Sequence, residues 1–244
     1  LLLMHRFFVD KVTGGRAVIS DKEQLHHLKD VLRLKVGDAI GLADSAGNDY
    51  AGVITAVDKK QAEVAISLKQ AARESPVKLT VACAIPKNTR FDDVVDFLTQ
   101  LGVERIIPMR TERVIVKLDD TRSGEKHGRW LKIAQSAARQ SQRRRLPVLD
   151  PVTDFAGVVS QSGDCDLKLI PHLSGERKLI KDILAASHPR NIIVLIGPEG
   201  DFTPEEVALA LDNGFLPVSL GDTVLRVAAA AIAVAAYIKL AVGE

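Results

Sequence analysis

Two stretches of this chain carry residue types that do chemistry at the end of a strand: Gly197-Pro198-Glu199-Gly200-Asp201, and Leu220-Gly221-Asp222-Thr223-Val224-Leu225-Arg226. Glycine admits a close approach between backbone and ligand, and Gly197 is read in that role. A glycine turn that leads from a strand into a helix commonly holds a phosphate at the helix N-terminus. Here Glu199 and Asp201 flank the helix start and repel phosphate, and neither G-x-G-x-x-G nor G-x-x-x-x-G-K-[ST] occurs. The turn suits a nucleoside without phosphates, or a cationic ligand. Spacing alone leaves plain αβ connections equally open.

Other site chemistries find less support. His26 and His27 are adjacent rather than four apart and have no nearby ligand cluster, so no metal site is expected. His172 lies just past the apolar run Leu167–Ile170, where ligand sites of α/β folds gather. No nucleophile elbow accompanies a Ser-His-Asp or Cys-His order, which argues against covalent hydrolase chemistry. Cys83 and Cys165 are isolated, as core thiols of a reducing compartment are.

The elements that must position the two loops can be read from periodicity. Ile192–Ile196 is a continuous apolar run of the kind a strand buried on both faces requires. Thr203 is placed to cap a helix, with Pro204 at its first position, Glu206 completing a capping box and Asn213-Gly214 ending it. Phe215–Leu220 reads as a further strand, and Leu225–Val242 as a last helix, apolar all round and hence expected to be buried. Lys78–Ala84, Phe91–Leu101 and Arg105–Met109 continue the strand and helix alternation upstream. Before residue 70 the runs Ala39–Leu42, Tyr50–Val57 and Ala62–Leu68 are short and turn-bounded, the pattern of a small antiparallel barrel. With Arg73-Glu74-Ser75-Pro76 as linker, the expected domains are 1–72 and 73–244.

Net charge is only +2, yet Arg105–Arg145 holds twelve Lys or Arg against four Asp or Glu. This stretch, ending in Arg143-Arg144-Arg145, is the candidate for phosphate contact, although a solvated helix face gives the same pattern. Arg6, Arg33 and Lys35 offer a second basic patch in the first domain. The longest uncharged run in the C-terminal helix, Val227–Ile238, is short of the roughly 18 residues that span a bilayer. Leu1-Leu2-Leu3 ahead of Met4 has no basic region and is too short for a signal peptide. No membrane association and a cytoplasmic location are therefore expected.

The pair IGPEGDFTPEE and SLGDTVLR resembles the C-terminal cofactor motifs of the small-subunit ribosomal RNA methyltransferase E family, a branch of the SPOUT methyltransferases. HRFFVD with HHLKDVLRLKVGDAIGLADSAGNDYAGVI is similar to that family's N-terminal RNA-binding barrel. AIPKNTRFDDVVDFLTQLGVERIIPMRTERVIVK with AARQSQRRRLPVL is similar to its central segment, so the likeness spans nearly the whole chain in order. It implies an α/β fold in which a PUA-like β-barrel precedes a parallel-sheet domain with a C-terminal trefoil knot. It implies a homodimer and an S-adenosylmethionine-dependent enzyme that methylates N3 of a uridine in 16S ribosomal RNA of the small subunit.

By the same resemblance, the cofactor is held by Pro171 and His172, by Leu195, Ile196, Gly197, Pro198, Glu199 and Gly200, and by Leu220, Gly221, Val224 and Leu225. Arg226 is the catalytic candidate, orienting the base or its backbone. RNA contacts are expected from Arg6, Arg33, Lys35, Arg139, Arg143, Arg144 and Arg145. The chain departs from the family pattern after Arg226, reading Val227-Ala228-Ala229 where a threonine, a glutamate and a threonine are usual. Phe97 and Gln100 likewise stand where a lysine and a glutamate are common. These departures support a competing reading, an RNA-binding or ribosome-assembly protein that keeps the fold with weak or no catalysis.

Overall fold

The computed structural model describes residues 5–44, 47–70, 75, 77–86, 91–113, 120–141, 143, 145–173 and 177–242. The chain divides into two compact units, one formed by 1–74 with 138–146, the other by 75–137 with 147–244. The basic stretch at 138–146 thus packs with the N-terminal unit.

The first unit contains β1 (Arg6–Val9), β2 (Arg16–Ile19), α1 (Lys22–His26) running into one π-helical turn at His27–Val31, β3 (Ala39–Asp44), β4 (Asp49–Val57) and β5 (Ala62–Gln70). Its sheet runs β1-β3-β4-β5-β2. The expected antiparallel barrel needs one correction, because β1 pairs with β3 in parallel, Phe7 opposite Leu42. α1 and its π turn lie between β2 and β3. Phe7, Ile19, Leu28, Ile40, Leu42 and Ile54 form the core of this unit, each fully buried. Their alternation with exposed residues along the strands is what a sheet with one wet face imposes.

The second unit contains β6 (Lys78–Ala84), α2 (Phe91–Gln100), β7 (Arg105–Arg110), α3 (Asp120–Gln140), β8 (Val148–Leu149), β9 (Thr153–Asp154), α4 (Phe155–Ser160), β10 (Leu167–Pro171), β11 (Lys178–Leu179), α5 (Ile180–Ala186), β12 (Asn191–Ile196), α6 (Pro204–Asp212), β13 (Leu216–Ser219) and α7 (Val227–Val242). All its strand pairings are parallel, in the order β11-β13-β10-β12-β6-β7-β8, with β9 also on β7. Both faces are covered. Leu79, Val81, Cys83, Val194 and Ile196 turn one way, toward α2 and α7, while Ala82, Ile193 and Leu195 turn the other, toward α4 and α6. That double burial explains why these strands read as unbroken apolar runs.

The chain visits β10, β12 and β13 in turn, yet the sheet reads β13-β10-β12. The last strand therefore returns to the far side of β10, a return that the threaded C terminus implied by the resemblance requires. α7 differs from expectation: its buried residues, Val227, Ala230, Ala231, Val234, Ala235 and Ile238, form one stripe, whereas Tyr237 and Leu240 are exposed. The spacing i, i+3, i+4, i+7 decides which half faces the sheet, and a single chain leaves the other half uncovered.

Candidate functional site

The C-terminal ends of β10, β12 and β13 lie side by side, so the loops that leave them converge on one pocket. After β12 the backbone turns through Gly197-Pro198-Glu199-Gly200, closed by a hydrogen bond from Asp201 N to the Pro198 carbonyl at 3.0 Å. Asp201 sits in the left-handed region, φ 60°. Its Oδ1 accepts from Phe202 N and its Oδ2 from Leu173 N, each at 2.9 Å, so one carboxylate staples this turn to the loop after β10. Thr203 then caps α6 as the sequence requires: its hydroxyl accepts from Glu206 N at 3.2 Å, and Glu206 Oε2 accepts from Thr203 N at 2.9 Å. The other Glu206 oxygen accepts from Glu112 N, tying α6 to the end of β7. Arg113 Nη1 donates to the Gly200 carbonyl at 2.5 Å and braces the turn from outside.

The pocket places most of the sequence candidates together. Pro171 and His172 line it from β10, Ile196 to Glu199 from β12, and Leu220, Gly221, Val224 and Leu225 from the loop after β13. Leu195 does not line it, because strand alternation turns its side chain into the opposite core with Phe202 and Ala210. Gly200 lies outside as well, exposed and engaged with Arg113. Arg226 is exposed, does not line the pocket, and stands one residue ahead of α7, where its carbonyl accepts from Ala230 N. Gly197 lines the pocket and is also constrained by packing. A Cβ there would meet the Phe202 ring at 2.9 Å, so the glycine makes room for a core aromatic.

Sequence reasoning missed Leu173, Arg177, Asp201, Val218, Thr223, Val227 and Ala230, which also line the pocket. Asp201 and Thr223 lay inside the motifs already quoted. Arg177 follows β10 at a distance that no motif marks, and its contact with the His172 carbonyl holds it at the pocket.

Charge in the pocket is mixed. Burial holds the His172 imidazole below its ordinary pKa, with Asp201 opposing and Arg177 reinforcing the shift, so the ring is neutral near pH 7. Ile196, Val218, Leu225 and Val227 supply apolar surface. Glu199, Asp201 and Arg177 supply the charged groups. An apolar slot with exposed glycine backbone and charges of both signs fits an uncharged nucleoside that carries a zwitterionic arm, the chemical make-up of S-adenosylmethionine. Among the described residues no group of three His, Cys, Asp or Glu is arranged to hold a metal ion, and no helix is long and apolar enough to cross a membrane.

The basic candidates fall in the first unit. Arg6 pairs with Asp49 at 3.4 Å. Arg33 and Lys35 are exposed, Arg33 with φ 55°. Arg139 is half-buried and helps burial to lower the His27 pKa. Arg143 is also half-buried, and Arg144 lies outside the described residues. Arg145 is exposed, and its side chain lies over Gly47, where an added Cβ would displace it.

A family described as RNA methyltransferase domain matches residues 73–239, and one described as RNA methyltransferase PUA domain matches 19–67. The chain is 34% identical over 205 residues to a Ribosomal RNA small subunit methyltransferase E of Synechocystis sp., covering 83% of this chain and 66% of that protein. It is 29% identical over 234 residues to the protein of that name from Bacillus subtilis, covering 91% of each. The crystal structure of a Ribosomal RNA small subunit methyltransferase E from Neisseria gonorrhoeae bound to S-adenosyl methionine superposes with a TM-score of 0.85 at 29% identity, covering 98% of both chains. A parallel-sheet domain with its strand-end pocket, a barrel-like sheet ahead of it and similarity over almost the full length show that the chain belongs to the ribosomal RNA small subunit methyltransferase E family.

Proposed function

We propose that the protein transfers a methyl group from S-adenosylmethionine to N3 of a uridine in 16S ribosomal RNA of the small subunit. The observation that carries this reading is the convergence of the loops after β10, β12 and β13 on one pocket whose lining suits a non-phosphorylated nucleoside. When bound, the cofactor supplies a sulfonium-activated methyl carbon. Backbone groups of Gly197, Leu220 and Leu225 would hold its adenosine, and apolar contact from Ile196 and Val218 would exclude water. Arg226, exposed beside the pocket, would orient the incoming base or its phosphate. The reacting nitrogen must be held in line with the methyl carbon, and such positioning carries much of the barrier reduction.

The N-terminal domain, 1–72, is proposed as the RNA-binding module and 73–244 as the methyltransferase domain. Arg6, Arg33, Lys35, Arg139, Arg143, Arg144 and Arg145 are the proposed basic contacts, supported by their gathering in or beside the barrel. Such contacts position the RNA without reading its sequence. We further propose a homodimer in the cytoplasm. Phe97 on α2 and Tyr237 and Leu240 on α7, two helices packed together, stay exposed and would be covered by a second copy.

Val227 lines the pocket with an apolar side chain where the family usually has a threonine, which favours weak or absent catalysis as the second reading. Single-turnover transfer from labelled S-adenosylmethionine to unmodified small subunits, with mass spectrometry locating the methyl, separates the two. Methylation at uridine N3 supports the enzyme. Binding of the cofactor without transfer supports the inactive reading, and in that case Ala228→Glu should restore activity by about 10²–10⁴-fold if a positioned carboxylate is the missing general base. A methyl on ribose or on another base atom overturns the assigned reaction.

A further inference from the structure

Among the described residues, two side chains in the pocket carry charges without a charged partner. Of the two acidic residues there, Asp201 gives both oxygens to the backbone amides of Phe202 and Leu173. Glu199 differs: it is exposed on the turn, lines the pocket, and among the described residues its carboxylate has no hydrogen bond or ion pair. Arg177 reaches the pocket from the other loop. Its Nη1 donates to the His172 carbonyl at 3.2 Å, which anchors the guanidinium through one of its five N–H groups. A guanidinium held at one corner and open along its fork matches a carboxylate in two-point geometry. The nearby His172 is neutral, since burial lowers its pKa, and does not compete for an anion.

We infer that Arg177 and Glu199 are the two poles that recognise the amino-acid arm of the ligand, Arg177 taking its α-carboxylate and Glu199 its α-ammonium. The inference rests on the cofactor class proposed above and deepens it by naming the groups that select an amino-acid-bearing nucleoside over a bare one. In these roles both residues act on ligand selection. Asp201 supports them indirectly by holding the two loops that carry them together.

Calorimetry on the full chain with four ligands tests this: S-adenosylmethionine, S-adenosylhomocysteine, decarboxylated S-adenosylmethionine and 5′-methylthioadenosine, which has no amino-acid arm. Arg177→Gln should weaken the first two by about 10- to 100-fold, the range of a missing charge-assisted hydrogen bond, and leave the last two within about twofold. Glu199→Gln should weaken the first three, which keep the ammonium, and spare 5′-methylthioadenosine. Unchanged affinity of Arg177→Gln for S-adenosylmethionine overturns the inference. So does an equal loss for 5′-methylthioadenosine, because that pattern marks a loop distortion rather than a missing pole. Wild-type protein that binds all four ligands equally refutes the poles but leaves the cofactor class standing. Wild-type protein that binds none refutes the cofactor class and the poles with it.

Discussion

At the scale of single residues, the pocket is built by a few side chains whose oxygen and nitrogen atoms are spent on backbone. Asp201 is one, holding the turn after β12 against the loop after β10. Gly197 contributes by having no side chain, because the Phe202 ring occupies the volume one would need. Gly197→Ala should therefore destabilise the fold by about 1–3 kcal/mol, the usual cost of overpacking, measured as a lowered midpoint in denaturant unfolding. A loss of ligand affinity with unchanged stability would instead return Gly197 to the role of ligand approach. The two histidines held below their ordinary pKa set a pH dependence. His172 and His27 are both lowered chiefly by burial. On acidification the unfolded chain takes up these protons first, at about pH 6.5, so stability should fall as pH drops below that value toward the depressed folded pKa values. Thermal midpoints recorded between about pH 7.5 and 5.5 should show this fall, and His27→Gln with His172→Gln should flatten it.

At the scale of elements, helix starts and strand ends carry the argument. The capping box at Thr203 and Glu206 fixes where α6 begins, and so fixes the length of the turn that forms one wall of the pocket. Thr203→Ala should cost about 1 kcal/mol, read from chemical denaturation. Glu206→Ala should cost more, because it frees the buried amide of Thr203 and also the amide of Glu112. An equal effect of the two substitutions would show that the link to Glu112 contributes nothing. Local pattern made this helix legible: a threonine, a proline and a glutamate at fixed spacing admit few other conformations. α7 was legible only in part. Its composition marks a helix, but a sequence apolar on every side does not say which side meets the sheet.

At the scale of the whole molecule, basic residues distant in sequence gather in one unit. Arg139 and Arg143 belong by contact with the barrel that also bears Arg6, Arg33 and Lys35. If this gathering binds RNA, Arg139→Glu with Arg143→Glu should weaken binding alike for all sequences and lower the slope of log affinity against log salt by about 1 for each phosphate no longer neutralised. Cofactor affinity should not change. A filter-binding series over salt concentration checks this, and an unaltered slope would return these residues to the solvated-surface reading.

The sequence by itself determined what depends on neighbours along the chain. The strands with two buried faces, the capped α6 and the glycine turns follow from local sterics and from the side-chain period of each element. The motifs in those turns named most of the pocket's lining because the loops that carry them are short. Tertiary structure decided what depends on residues meeting across the sheet. Parallel pairing of β1 with β3 answers to register with strands far off in sequence. Strand alternation turned Leu195 away from the pocket, and Phe202 added a packing constraint at Gly197. Arg177 entered the pocket through a contact between its guanidinium and the His172 carbonyl. Burial and hydrogen bonding between distant segments carry these outcomes, and neither leaves a fixed spacing along the chain.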